Sequence, residues 1–232
     1  MENKKTGCNA MDGGNINYEH AERQVNDRCI ELVDGNLFDP LAPDPSLMTL
    51  EVIAAALANN TRFAGQAKSF YSIAQHSVLV GALSPQDMAA QRCALLHDAD
   101  ECFGLPDLPT PVKPHMPDYV AAQKRIGAAV DGRYGISEDD HKRTKPADRQ
   151  ALLIEKHALK NPRNAGYWNI WSAGVEMPSW VRIDPLPPEA SMELILSAMD
   201  RVFEMDLPIS AEWLSSLDGF DVDPEFEPTP MA

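Results

Sequence analysis

No run in this sequence approaches the ~18 consecutive apolar residues of a membrane-spanning helix. The opening residues, Met-Glu-Asn-Lys-Lys-Thr-Gly, are not followed by the apolar core of a secretion signal. These two absences predict a cytoplasmic protein, in the cytoplasm of a host if the source is viral, with no membrane partner. Cysteine is scarce, and Cys8, Cys29, Cys93 and Cys102 show no CxxC spacing, which leaves no zinc-ribbon or thioredoxin-like motif. Cys93 and Cys102 sit in an apolar helical stretch and are expected to be reduced packing residues. Positive charge is also in deficit, with 20 Lys and Arg against 35 Asp and Glu, a formal charge of −15. Such a surface repels a polynucleotide backbone, so no polynucleotide partner is expected. A small nucleotide remains admissible, because a local site can be positive on a negative protein. The stretch from His141 to Arg163 shows that bias: Lys142, Arg143, Lys145, Arg149, Lys156, Lys160 and Arg163 face only Asp148 and Glu155. For most of these charges a solvated helix face is the simplest reading.

What is present suits one domain with extended ends: 232 residues, 44% hydrophobic and 24% charged. That is enough apolar material for a core that needs no metal or disulfide merely to fold. Leu50, Ile53, Ala54 and Leu57 follow the i, i+3, i+4, i+7 pattern of a helix. A second helix spans 71–83 with Ser72 as its cap. A third is expected from Pro85 to Phe103, with Pro85 in its first turn and Gly104 as its stop. Leu105 to Pro117 is too rich in proline for helix or central strand. Further helices are expected over 118–134, 138–161 and 188–205. The class is all-α, with at most one small hairpin. Residues 1–45 read as an N-terminal arm, 46–165 as the main helical domain, and 166–232 as an extension packing on it. The tryptophans of the 163–187 segment, Trp168, Trp171 and Trp180, should pack on the helical body. Together with the apolar helix near 190–205 they suggest a homo-oligomer, although packing within one chain is nearly as good an explanation. The tail after Leu207, acidic and without a basic residue, is expected to be mobile at its end.

The chemistry-bearing residues are few. His97 and Asp98 follow the apolar run Ala94-Leu95-Leu96, and Glu101 lies one helical turn on. Neighbours on a helix point ~100° apart, so His97 and Asp98 can share a metal only if it lies off the helix flank. His76 stands in an otherwise apolar helix, where a lone histidine is more often a satisfied core residue. Asp148 precedes the apolar Ala151-Leu152-Leu153-Ile154, where an acid is most often a cap or an arginine's partner. Together the four weigh more than separately: two imidazoles and two carboxylates suit a divalent transition ion.

The order His76, His97-Asp98, Asp148, on three helices, resembles the HD superfamily. Residues from about 50 to 157 resemble the bacterial HD-domain 5′-deoxynucleotidases and the related phage deoxynucleoside triphosphohydrolases that cleave dATP. The resemblance rests on Arg62-Phe63, the block Tyr71 to Ser77, His97 to Glu101, Asp107-Leu108-Pro109-Thr110-Pro111-Val112-Lys113, and Lys145 to Asp148. It implies an HD helical bundle with His76, His97, Asp98 and Asp148 as ligands of a divalent metal such as Co²⁺, Zn²⁺, Mn²⁺ or Mg²⁺. It further implies that Arg62 orients the scissile phosphate and that Glu101 and Asp107 manage the attacking water. Phe63 and the Leu108, Pro109 and Thr110 backbone would hold base and sugar, with Lys113 at most a distal phosphate contact. One extra residue between Glu101 and Asp107, and Gln75 in place of the nucleotidases' usual Glu, depart from that pattern. The expected activity is hydrolysis of a purine deoxynucleotide at the α-phosphorus, dATP to deoxyadenosine and triphosphate. A 5′-deoxynucleotidase and an inactive nucleotide-binding HD module are the alternatives.

Overall fold

A computed structural model describes residues 28–164, 166–167 and 173–223. The arm over 1–27, Trp168, Trp171 and the acidic end after Asp223 lie outside them, with the expectations placed there.

The described chain is mostly helical. A short ribbon of β1 (Ile30–Glu31) and β2 (Leu37–Phe38) precedes helices α1 (Leu50–Asn59), α2 (Ile73–Leu83) and α3 (Met88–Leu96). Two long helices follow, α4 (Pro117–Tyr134) and α5 (Glu138–Leu159). The chain then forms β3 (Val181–Ile183), α6 (Pro188–Met199), a π turn over Asp200–Glu204, α7 (Ala211–Leu214) and β4 (Phe220–Val222). β3 and β4 pair antiparallel, Val181 opposite Val222, so there are two small ribbons where one was expected.

α2 is the axis of the molecule. All eleven of its residues are buried, as its near-continuous apolar sequence requires of a helix covered on every side. α3, α5 and α6 pack against it. The Ser72 hydroxyl accepts from the Gln75 amide and starts the helix as expected.

The third helix is shorter than its sequence suggests. The Asp87 carboxylate accepts from the Ala90 amide and caps α3 at Met88, so Pro85 stays outside. The helix ends at Leu96, and a tight turn over Ala99–Glu101 replaces the last expected turns. As far as Asp223 the segment after Leu207 is ordered: Ile209 and Leu214 are fully buried and β4 completes a ribbon. Ile195, Met199 and Val202 are buried within the same chain, which removes the 190–205 helix as a reason to expect an oligomer. Trp180 packs partly buried against the core, and Cys93 and Cys102 are free and buried.

Candidate metal centre

Three segments converge beside α2. His76 comes from its first turn. His97 and Asp98 come from the point where α3 stops: Asp98 has left helical geometry (φ −105°, ψ 15°), so the two side chains are freed from their helical divergence and meet at one place. Asp148 and Glu155 lie seven residues apart, two turns along one face of α5.

The imidazoles are set as a pair of acceptors. His76 Nδ1 lies 2.5 Å from Glu155 Oε1, and His97 Nδ1 lies 2.8 Å from the Ala94 carbonyl. Each acceptor holds a proton on Nδ1, which leaves the Nε2 lone pair free. Those two Nε2 atoms face each other at 3.3 Å. Asp98 Oδ2 lies 3.6 Å from the first and 3.4 Å from the second. Asp148 Oδ1 lies 3.4 Å and 4.0 Å from them.

Lone pairs and carboxylates aimed at one point repel unless a cation sits between them. Ligand atoms ~2.1 Å from one ion stand roughly 3.0–3.4 Å apart at right to tetrahedral angles, close to most of these separations. The His76, His97 and Asp98 group could therefore hold a metal ion. Without one, a proton takes that place. Burial and the Arg62 cation oppose charge on His76, but Glu155 and Asp148 outweigh them and lift its pKa to about 9. Burial disfavours the Asp148 carboxylate, yet its bond to His76 and the charges of His97 and His76 hold it ionised far below the usual range.

Arg62 closes one side. Its amide donates to the Tyr71 carbonyl (2.9 Å) and Ile73 N–H to the Asn60 carbonyl (3.0 Å), stitching the Arg62 turn to the start of α2. Phe63 and Ala64 in that turn hold positive φ angles of 58° and 50°, a conformation costly for non-glycine residues and found disproportionately at functional sites. The guanidinium bonds Asp98 Oδ2 (3.4 Å) and Glu155 Oε2 (3.2 Å). Glu155, wholly buried, thus joins His76 to Arg62. Sequence reading missed it; its two-turn spacing from Asp148 was the available signal.

Glu101 borders the group on the turn after α3, held there by the Asn60 amide, which donates to its backbone carbonyl (3.1 Å). Burial, then the Asp98, Asp107 and Asp100 carboxylates, push its pKa up to about 10. A divalent cation at the cluster acts in the opposite direction. Its Oε2 and Arg62 Nε are buried with no hydrogen-bond partner, an acceptor and a donor at the edges of one site.

The structure brings His76, His97, Asp98, Asp148 and Arg62 together, with Glu101 at their border. Asp107 is exposed and its carboxylate pairs with Lys113 at 2.6 Å, while its charge still reaches Glu101. Pro109 and Thr110 are exposed and Leu108 half-buried on the same loop, which turns tightly through Val112 N–H to the Pro109 carbonyl (2.7 Å). Phe63 is half-buried, with Lys160 Nζ 4.3 Å from its ring centre and the Arg62 guanidinium carbon 5.6 Å away.

Gln75, next to His76, serves elsewhere. Its amide donates to the Asp184 and Gly219 carbonyls (2.8 and 2.9 Å) and accepts from Leu186 N–H (3.0 Å). Gln91 on α3 matches it, donating to the Gly81 and Pro85 carbonyls (2.9 and 3.0 Å) and accepting from Ile209 N–H (2.9 Å). These two side chains fasten the C-terminal segment to the helical body.

No family model matches the chain. It is 32% identical over 153 residues to the uncharacterized protein YfdR of Escherichia coli (strain K12), covering 66% of this chain and 83% of YfdR. It is 37% identical over 113 residues to an uncharacterized protein of Rhodobacter capsulatus, covering 45% of this chain and 57% of that protein. No helix among the described residues is long and apolar enough to cross a membrane.

Proposed function

The chain belongs to the YfdR family, and for this member we propose metal-dependent hydrolysis of a deoxynucleotide at the α-phosphorus by an HD-type centre. The favoured reaction is dATP to deoxyadenosine and triphosphate, with dADP and dAMP cut at the same bond. The observation that carries this reading is the pair of Nε2 lone pairs 3.3 Å apart with both Nδ1 atoms engaged, beside an arginine and a glutamate that each keep one buried, unpartnered atom.

His76, His97, Asp98 and Asp148 would hold the ion. Bound there, it supplies Lewis acidity and lowers the pKa of water. Arg62 presents cationic N–H donors to phosphate oxygens, where charge develops during the transfer. Glu101, beside the cation's field, accepts the proton of the attacking water. Phe63 offers a flat face to the base, and the turn-rich 105–113 segment a wall for the sugar. Stacking is tolerant of base identity, so purines are favoured and pyrimidines weaker.

Chromatographic product analysis on dAMP, dATP and dGTP, with the protein's metal content measured in parallel, tests the proposal. Deoxynucleoside release that stops on chelation and returns with Co²⁺ or Mn²⁺ is expected. Hydrolysis that survives chelation, or no hydrolysis of any of the three by metal-loaded protein, would overturn it.

A further inference from the structure

The basic stretch of α5 has a structural partner that the active-site reading leaves unused. Its N-terminal half and the loop at 174–176 enclose a cleft of about 710 Å³, within the range of small-ligand sites. His141, Lys142, Lys145 and Arg149 line it against the carboxylates of Glu138 and Glu176. Paired carboxylates offset three of these cations, Asp131 that of His141, Glu138 that of Lys142 and Asp148 that of Lys145, so the unpaired cation of the cleft is Arg149. His141 contributes a full charge at neutral pH: its bonds to Cys93 and Asp131 outweigh burial and raise its pKa to about 9. Lys142 is tied to Glu138 at 3.1 Å and Lys145 to Asp148. Arg149 is exposed and forms no hydrogen bond or ion pair among the described residues. The Gln150 amide donates to the Glu176 carbonyl (3.3 Å) and holds the loop against the helix.

The cleft adjoins the metal centre through one side chain. Lys145 lines the cleft, and its ammonium pairs with Asp148, whose other oxygen faces His76. α5 then acts as a ruler. Glu155 and Lys160, which touch Arg62 and Phe63, lie beyond Asp148 in the chain, whereas Lys145 and Lys142 precede it. At a helical rise of 1.5 Å per residue these two lysines are roughly 4.5 and 9 Å back along the axis. Arg149 is nearly level with Asp148 but about 100° around the helix, on the face that lines the cleft with Lys145 and Lys142, so phosphates beyond an α-phosphate at the cluster would turn onto this face.

We propose that this cleft, with Arg149 and Lys142 as its anchors, seats the polyphosphate tail of a nucleotide whose α-phosphate lies at the metal centre. The inference rests on the reading of that centre as a nucleotide hydrolase, and it selects the triphosphate over the monophosphate as the preferred substrate. Arg149 is the principal anchor, because binding there breaks no existing ion pair; Lys142 must first exchange Glu138 for phosphate.

Two arms separate this proposal from the reading it rests on. In the first, wild-type holoprotein is titrated calorimetrically with Mg²⁺-saturated inorganic tripolyphosphate. The same titration is run on Arg149→Gln and Lys142→Gln, two changes at solvated positions that leave the core intact. Saturable binding, weakened about tenfold by Arg149→Gln, as the loss of one charge-assisted contact predicts, supports the cleft. In the second, kcat/KM is measured for dATP and dAMP, and the ratio of the two should fall about tenfold in Arg149→Gln. A ratio that does not move, or tripolyphosphate binding indifferent to both substitutions, overturns the tail site while nucleotide hydrolysis stands. If wild-type protein hydrolyses neither nucleotide, the hydrolase reading falls, and the titration alone decides whether the cleft binds polyphosphate.

Discussion

Gln75 and His76 are adjacent on α2 and equally buried, yet they face regions built on opposite principles. Towards the C-terminal segment, Gln75 and Gln91 each use both amide hydrogens and the carbonyl oxygen on backbone groups. Towards α3 and α5, His76 and His97 each use one nitrogen and point the other at its counterpart. Polar groups that close on one another hold a fold together. Polar groups that converge with lone pairs foremost call for something the chain does not itself supply. His141 shows that the distinction belongs to environment and not to residue type. Its Nε2 meets Asp131 at 3.0 Å and its Nδ1 meets Cys93 at 3.6 Å, so both nitrogens are engaged, as in the glutamines.

The sharpest way to break this contrast is to remove a converging group. His97→Ala should bring bound metal to background and abolish turnover, while circular dichroism keeps its helical signature; full metal occupancy in the variant would show that the convergence is not a binding site. Glu101→Gln should lower kcat by about 10²–10⁴-fold, the loss of a general base, with metal content unchanged. Parallel loss of metal would instead make Glu101 a ligand. Glu155→Gln should weaken metal binding about 10–100-fold, as when a ligand histidine loses its orienting partner. Chelator competition reads this directly, and an unaltered metal affinity would reduce Glu155 to packing.

On the other side of α2, Gln91→Leu should leave metal affinity intact and cost about 1–3 kcal/mol, because the buried Ile209 N–H loses its acceptor. Urea unfolding of the metal-free protein measures it; a variant that loses metal without losing stability would erase the division between the two regions. The smallest effect concerns His141. Its bonds to Cys93 and then Asp131 raise its folded pKa to about 9 from 6.5, so it contributes stability fully present below pH 6.5 and lost as pH rises through 9. The melting temperature should decline across that window in wild type and less steeply in His141→Asn. Identical pH slopes would remove His141 from the account.

The sequence made one of these regions far more legible than the other. His76, His97, Asp98 and Asp148 are rare residue types at apolar positions, and their spacing drew them together before any fold was known. Ser72 announced the start of α2, where its hydroxyl accepts the amide three residues on. The end of α3 was not legible. Ala99, Cys102 and Phe103 continue the helical period of Leu95 and hide the break at Asp98, where the turn brings the two adjacent side chains to one point. Glu155 was hidden by its company, an acid in a lysine-rich stretch that reads as a solvated face. The glutamine clamps could not be read at all, since each joins residues more than a hundred positions apart and an amide carries no charge pattern to betray its partner.

Those clamps also set an order of events during synthesis. The residues that would hold metal, from His76 to Asp148, have all been made when the ribosome is still some seventy residues from Gly219. Until Asp184, Leu186, Ile209 and Gly219 emerge, Gln75 lacks its three backbone partners and Gln91 lacks the Ile209 N–H, and the back of α2 lies open to water. This later-made segment closes the helix that carries His76, so a nascent chain released early would present its metal-capable side chains on an unfinished scaffold.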